Sequence, residues 1–310
     1  GTFLDEMKEQ CFDKYNCKTG AEAPGVDDAA FERYAGKNGY FSMIFDFGWE
    51  NMEGENDKSS IHAVERWKKK MFTHVAHNSG IGWSAIFLEN HDQSRCLNKF
   101  LERENISFYS ASALASIYFF LYGAPFIYQG KEIRMTNVKW MNINDMDDIR
   151  AKRTYEEAVG QGKDPDEVLA YFSELGRDNA RTPMQWDDSE NGGFTCGKPW
   201  IKCNDNYRTI NAQSEVNDPD SLYNYYKRLI QCYHDHADIV RQAEFRPMYE
   251  EYPGLFAYER EVNGKGLLVI VNFTNEKLMF QKIDQKCELC NYHETESEWL
   301  QPYEARIYSK

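Results

Sequence analysis

Two short stretches of the sequence carry side chains that could do chemistry. One is "TGAEAPG", with Glu22, and the other is "IFLENHD", with His91 and Asp92. A carboxylic acid that protonates a leaving oxygen, together with carboxylates that balance positive charge on a sugar ring, is what glycoside hydrolysis requires. His91 would then be a polar ligand for the ring, held by the apolar residues before it. Each acid also has an ordinary alternative, as a solvated loop acid or a helix cap without a ligand.

Alternating strand and helix patterns predict where these acids lie. A short strand within 17–25 carries Glu22, and further strands are predicted at 40–47, 84–90 and 125–130. Helical periodicity predicts the elements between and after them, at 2–15, 27–36, 61–77, 108–123 and 221–239. This repeated order predicts a parallel sheet covered by helices. In a barrel, the loops at the C-terminal ends of such strands converge, so both acids could face one pocket.

Two further regions complete the predicted organisation. Residues 131–217 form a long polar insertion with a helix near 146–160 and a loop region at 176–205, and an insertion of that length is usually functional. After about residue 241, short alternating strands are separated by turn signals at Pro253-Gly254, Asn263-Gly264 and Asn275-Glu276. We therefore expect a barrel-type domain at 1–240 and a small antiparallel β domain at 241–310.

Charge and hydropathy exclude some classes of partner. The 310 residues carry a net charge of -14, which argues against nucleic acid and is compatible with a neutral ligand. The most apolar segment, 106–130, contains serines, tyrosines and a Gly123 to Pro125 break, so it suits a buried helix followed by a strand better than a membrane span. We expect no membrane partner.

The cysteines indicate reduced thiols. Eight of them are scattered over the long chain, which makes a disulfide framework the weaker interpretation and favours a cytoplasmic protein. Cys287 and Cys290 form a lone C-x-x-C without a second ligand pair nearby, so we interpret them as half-buried strand residues. We expect no metal site and no cofactor.

Four motifs resemble those of glycoside hydrolase family thirteen, the α-amylase family, and most closely its oligo-1,6-glucosidase and α-glucosidase branch. They are "KTGAEAPG", "LENHDQSR", "YQGKEIRMTNV" and "GRDNARTPMQWD". The resemblance covers essentially the whole chain. It implies the C-terminal half, strands five to eight, of a (β/α)8 TIM barrel, followed by an antiparallel β-sandwich domain.

The resemblance also implies roles for individual residues. Glu22 would be the general acid/base, Asp92 the second acid that stabilises the transition state, and His91 a ligand of the innermost glucose. Arg177 would close the non-reducing end of the pocket with an upstream acid, since its planar fork donates several fixed hydrogen bonds. The expected substrate-binding residues are completed by Asn90, Arg95 and Phe47.

One part of the family pattern is absent. The nucleophilic aspartate of the family lies at the end of strand four in a G-F-R-x-D type motif, and no such motif occurs in this sequence. For the intact enzyme we expect retaining hydrolysis of terminal α-1,6 and/or α-1,4 glucosidic bonds in small oligosaccharides, and for this chain alone no activity. A half barrel also leaves two strand edges without partners, so self-association is expected.

Three alternatives remain. A trehalose-phosphate hydrolase would carry an aromatic residue in place of Arg95, and a sucrose isomerase would carry an arginine-rich loop before the strand at 84–90. A non-catalytic member, the ectodomain of a transporter heavy chain, would use the fold for binding. Retention of Glu22, His91, Asp92 and Arg177 together argues against the last, because a scaffold has no physical need for convergent acids.

Overall fold

The computed structural model describes residues 1–49, 52, 58–294 and 298–310. Its helices are α1 (Thr2–Met7, continued by a π-helical turn Lys8–Phe12), α2 (Asp28–Ala35), α3 (Ile61–Asn78), α4 (Cys96–Phe100), α5 (Phe108–Phe119), α6 (Ile149–Gly160), α7 (Pro165–Leu175), α8 (Ala212–Asn217), α9 (Leu222–Asp235) and α10 (Ala237–Gln242). Its strands are β1 (Gly20–Glu22), β2 (Met43–Phe45), β3 (Ala85–Ile86), β4 (Ala124–Pro125), β5 (Glu244–Pro247), β6 (Leu255–Val262), β7 (Lys265–Asn272), β8 (Leu278–Met279), β9 (Lys286–Cys290), β10 (Trp299–Leu300) and β11 (Ala305–Ser309).

The first four strands run parallel, in the order of the sequence. β1 pairs with β2 and β3 pairs with β4, and a parallel bridge between Ile44 and Ser84 joins the two pairs. The strands are much shorter than predicted because ladder hydrogen bonds form over only two or three residues, after which the chain leaves the sheet. The C-terminal ends of all four strands nevertheless lie at one edge, and we call it the C-terminal edge.

The helices cover this sheet through regularly spaced apolar residues. In α3 the buried Trp67, Met71 and Val75 follow each other at intervals of four, and the Ser60 side chain caps the first turn by accepting from the amide of Ala63. The apolar segment at 106–130 is a buried helix, α5, followed by a strand, as predicted. Within the described ranges, no helix is both long enough and apolar enough to cross a membrane.

The described part of the insertion contains three α-helices, of which α6 is predicted from the sequence and α7 and α8 are not. α6 matches the expected helix near 146–160, whereas α7 lies where none was expected. The signals for α7 are in the sequence, because Asp164 caps the helix by accepting from the amide of Asp166 and Pro165 stands at its first position. Helices α6 and α7 pack on a small core that includes Trp140 and Phe172.

The C-terminal region is an antiparallel β-sandwich, as expected. A five-stranded sheet in the order β5-β6-β7-β11-β9 lies against a two-stranded sheet of β8 and β10. The hairpin between β6 and β7 turns at Asn263 and Gly264, both with positive φ, which is the two-residue turn that matches strand twist. Cys287 and Cys290 are free thiols of β9, so the lone C-x-x-C consists of strand residues.

The sandwich and the helices share one hydrophobic core. Alternate residues of β6 point to opposite faces, so Leu255 and Ala257 pack on the small sheet while Phe256 and Tyr258 pack in the same cluster as Trp67 of α3. The predicted helix at 221–239 is in fact two helices, α9 and α10, which meet at His236. The first strand of the sandwich begins two residues after α10 ends, close to the predicted position of about 241.

Both outer strands of the parallel sheet have a single partner. Among the described residues, β1 pairs only with β2 and β4 only with β3, and Phe126 and Ile127 just after β4 are partly exposed. Such edges can recruit another chain. Self-association therefore stays a prediction.

A buried arginine joins the sandwich to the helices. Arg260 of β6 is completely buried and donates to the carbonyls of Phe120, Val240 and Ala243, at 2.7–2.9 Å. These carbonyls lie at the C-terminal ends of α5 and α10. The last carbonyls of a helix have no backbone N–H donor within the helix, so they need a donor from elsewhere. Burial lowers the pKa of Arg260 to about 10, which still leaves the guanidinium charged at neutral pH.

We expect Arg260→Met to lower the free energy of unfolding by about 3 kcal/mol or more, because three buried carbonyls would each lose a donor at about 1–3 kcal/mol. Urea denaturation measures the change. Arg246→Met is the matched control, since Arg246 lies on the neighbouring strand and pairs with Glu259, but its side chain is 63% exposed. A loss of stability no greater than that of the control would contradict the prediction.

Candidate active site

Glu22 and Asp92 both follow the C-terminal edge of the parallel sheet. Glu22 is the last residue of β1 and pairs with Phe45 in β2. Asp92 lies six residues after the end of β3, in the loop that leaves the same edge. Glu22 is exposed and makes no side-chain hydrogen bond or ion pair within the described part of the chain. The parallel pairing thus places β1, which ends at Glu22, and β3, which precedes Asp92, with their C-terminal ends at one edge. That the two carboxyl groups lie within about 10 Å of each other stays a prediction.

The loop after β3 has a buried beginning and an exposed tip. Phe87 and Leu88 are buried, whereas His91 and Asp92 are exposed. Asn90 shapes the tip, because its side-chain oxygen accepts from the amide of Asp92 at 2.9 Å, an interaction that stabilises a tight turn. The imidazole Nε2 of His91 lies 3.3 Å from Oδ2 of Asp92. A role of Asn90 and His91 in substrate binding stays a prediction.

Arg177 is the centre of a charge network at this tip. Its Nε and Nη2 donate to the two oxygens of Asp148 at 2.7 and 2.8 Å, and its Nη1 donates to Oδ1 of Asp92 at 3.0 Å. The fork of the guanidinium fits a carboxylate in this two-bond geometry. The hydrogen bond from Arg177 lowers the pKa of Asp148, and the same bonds raise that of Arg177.

Two members of this network were missed in the sequence. Arg181 donates from Nε to the carbonyl of His91 at 2.7 Å and from Nη2 to Asp92 at 2.6 Å. Asp148 caps α6 and is held by its neighbour in the fold, the buried Asp178, which accepts from the amide of Asp148 at 2.8 Å. The available signals were the second arginine of "GRDNAR" and an acid near the start of the predicted helix at 146–160, where a capping residue is expected.

Asp92 is therefore held ionised. Partial burial by itself would favour the neutral acid, but the hydrogen bond from Arg177 and the charges of His91, Arg181 and Arg177 outweigh it and lower the pKa of Asp92 below its ordinary value of 3.8. An ionised carboxylate only accepts hydrogen bonds, so Asp92 is suited to bind hydroxyl groups or to stabilise positive charge, and not to donate a proton.

The structure corrects the expectation for Arg95. This residue is 0% exposed, and its guanidinium donates to the carbonyls of Gln129 at 2.6 Å and Asn179 at 3.3 Å. A substrate could not reach it, because neighbouring loops enclose the whole side chain. Arg95 therefore holds neighbouring loops through their carbonyls and does not line the site.

Phe47, the remaining expected residue, lies just beyond β2. It is half-buried, and its ring packs edge-on against Phe87 with the centroids 5.2 Å apart. Phe45 and Phe126 form a second edge-on pair beside it, at 4.7 Å. A role of Phe47 in contacting a sugar stays a prediction. Within the described ranges, no group of histidines, cysteines and acids is arranged to hold a metal ion.

Comparison with known proteins gives concordant matches. Residues 1–243 match the family described as alpha amylase, catalytic domain. The oligo-1,6-glucosidase of Parageobacillus thermoglucosidasius is 37% identical over an alignment 324 residues long, gaps included. The alignment covers 99% of this chain and 57% of that protein. A crystal structure of Bacillus licheniformis trehalose-6-phosphate hydrolase has a TM-score of 0.85 at 31% identity, and a trehalulose synthase variant one of 0.89 at 32%, each covering 99% of this chain and 58% of the other. The chain thus spans little more than half the length of these relatives.

We expect Arg177→Met to raise the pKa of Asp92 towards 3.8, because the variant removes the hydrogen bond that lowers it most. The pH dependence of the carboxyl carbon shift in NMR measures this pKa. A carboxyl group whose pKa is lowered in the folded state contributes stability at pH values above its ordinary pKa. This contribution is lost as the pH falls through the pKa of the folded state. The stability difference between wild type and variant should therefore be full above about pH 3.8 and fade below it.

Arg103→Met is the control, since Arg103 forms an exposed pair with Glu174 at 2.7 Å away from this network. It should leave the pKa of Asp92 unchanged. An Asp92 titration that is identical in wild type and Arg177→Met would show that the network does not hold this acid ionised.

Proposed function

The chain belongs to the alpha-amylase family, and from that premise we propose that it is part of an enzyme that hydrolyses terminal α-glucosidic bonds, α-1,6 and/or α-1,4, in small oligosaccharides with retention of configuration. The observation that carries the proposal is the pair of acids at the C-terminal edge, Glu22 without a partner among the described residues and Asp92 ionised between two arginines. Two carboxyl groups in such different surroundings are suited to two different roles.

Each residue has a role in this proposal. Glu22 is exposed, so it can contact a substrate, protonate the leaving oxygen and later deprotonate water. Asp92 accepts hydrogen bonds from sugar hydroxyls and stabilises the positive charge on the ring in the transition state. Arg177 fixes Asp92 and presents its fork to the non-reducing end, with Asp148 as the partner acid. His91 contributes a further hydrogen bond to the innermost sugar.

The nucleophile is assigned to a part of the enzyme outside this chain. The sequence contains no G-F-R-x-D type motif, and the chain spans 57% of the length of the oligo-1,6-glucosidase it resembles. Retaining hydrolysis needs a second carboxylate about 5 Å from the acid to capture the ring carbon. Asp92 is unsuited to that attack while its carboxylate is engaged by Arg177 and Arg181.

Related proteins with other names define the competing substrates. The solved relatives include a trehalose-6-phosphate hydrolase and a trehalulose synthase. Because Arg95 is buried, the residue type at that position does not discriminate between them through direct substrate contact. Assay of the intact enzyme on isomaltose, maltose, trehalose 6-phosphate and sucrose would separate the activities, and inactivity on all of them would favour a non-catalytic binding protein.

This chain alone should be inactive towards p-nitrophenyl α-glucoside, although it carries the acid. Loss of a nucleophile removes several orders of magnitude of rate, on the order of 10⁴ or more. Release of nitrophenol from the purified chain measures this, with and without a separately produced polypeptide from the upstream part of the gene. We expect activity only on mixing, and no activity on mixing for Glu22→Gln. Turnover by the chain alone that Glu22→Gln abolishes would refute the assignment of the missing nucleophile.

Hydrolysis by the intact enzyme should release α-glucose first. Two successive displacements at the ring carbon restore its configuration, whereas a single attack by water inverts it. Proton NMR of the first minutes of the reaction distinguishes the two anomers before they equilibrate. Initial β-glucose would refute the retaining mechanism.

A further inference from the structure

Four charged side chains lie near one another at the ends of the loop that carries His91 and Asp92. We call them the buried charge centre: Glu89, Arg95, Lys131 and Glu132. The Glu89 and Arg95 side chains are buried and lie 3.6 Å apart, and Lys131 is buried beside them. Lys131 interacts electrostatically with Glu89, and half-buried Glu132 with Arg95. Two cations and two acids balance, which matters because an uncompensated buried charge is strongly destabilising.

Lys131 is a buried cation of this centre whose pKa is raised by its neighbours. Its ammonium lies 3.9 Å from the centroid of the Tyr118 ring and makes no hydrogen bond in the described part of the chain. The ring face attracts the cation, but it does not neutralise it. Burial alone would lower the pKa of Lys131, yet the nearby Tyr118, Cys96 and Glu89 raise it. Of these three groups, only Glu89 is an acid that is ionised at neutral pH in solution.

The side chain of Glu89 connects the two ends of the loop that carries His91 and Asp92. It stands where the chain leaves β3, and its Oε2 accepts from the amide of Cys96, the first residue of α4, at 2.5 Å. Asp92 lies between these two anchor points. Oε1 of Glu89 has no hydrogen-bond partner in the described part of the chain and lies 3.6 Å from Nη1 of Arg95. The shape of the loop therefore depends on where the Glu89 carboxylate is held.

Arg95 connects this loop to the turn that carries Arg177. Its guanidinium donates to the carbonyl of Asn179, two residues after Arg177, and to that of Gln129 beyond β4. The buried charge centre thus connects the loop that carries Asp92 with the turn that carries Arg177.

We propose that Lys131 is a positioning residue for Asp92: its charge, balanced by Glu89, holds the loop in the shape that places Asp92 between Arg177 and Arg181. The inference concerns the geometry of this chain and does not depend on the proposed hydrolysis. Lys131 itself touches neither Asp92 nor the exposed face of the site.

The test compares Lys131→Met, Glu89→Gln and the double variant in the 310-residue chain, with the pKa of Asp92 by NMR and the free energy of unfolding in urea as readouts. We expect each single variant to lose stability and to raise the pKa of Asp92 by about one unit as its arginine bonds weaken. The double variant removes both charges, so it should be more stable than Lys131→Met and return the pKa of Asp92 towards the wild-type value.

The control is Arg134→Met, which removes a second cation of the same turn that pairs with Glu215 at 2.8 Å. It should lose stability without moving the pKa of Asp92. An unchanged Asp92 titration in folded Lys131→Met would overturn the proposal, and so would additive effects in the double variant. If Lys131→Met fails to fold, a folded double variant supports the coupling to Glu89, and an unfolded one refutes it.

Discussion

Parallel pairing of four very short strands is the constraint on which the candidate site depends. Ile44 is at its centre, because it pairs with Ala21 on one side and bridges to Ser84 on the other. This register sends every strand out at the same edge, so loops distant in sequence leave the sheet together. With only two or three residues paired in each strand, the ladder alone cannot hold the sheet, and the packing of α3 and α5 must supply the rest.

The insertion between the parallel sheet and the sandwich provides the charges that orient the site. Asp148 begins α6, and the turn after α7 carries Arg177 and Arg181. The two arginines donate to Asp92 at 3.0 and 2.6 Å, and Arg177 joins Asp148 to Asp92 by donating to both. The buried charge centre joins the two ends of the same loop, because Glu89 accepts from the amide of Cys96.

The sandwich contributes stability more than chemistry. One face of its five-stranded sheet lies in the same core as Trp67, and Arg260 satisfies the last carbonyls of α5 and α10. Because Ile86 of β3 lies in the same core, the sandwich also stabilises the strand that precedes Asp92. The two regions share one core and are expected to unfold together.

The sequence by itself determined the order of strands and helices, the change to antiparallel strands near 241, and the presence of two acids at strand ends, because periodicity and turn residues are local properties. It also indicated Arg177 through the family motif. Only the tertiary structure decided which charges meet: Arg181 contacts Asp92 across 89 residues of sequence and Arg177 contacts Asp148 across 29, and no local pattern encodes such contacts. Arg95 shows the same limit, since its position in a motif suggested a ligand contact, whereas the structure buries it completely against the carbonyls of Gln129 and Asn179. Burial of a charged side chain depends on what packs over it, and that is settled only when the chain has folded.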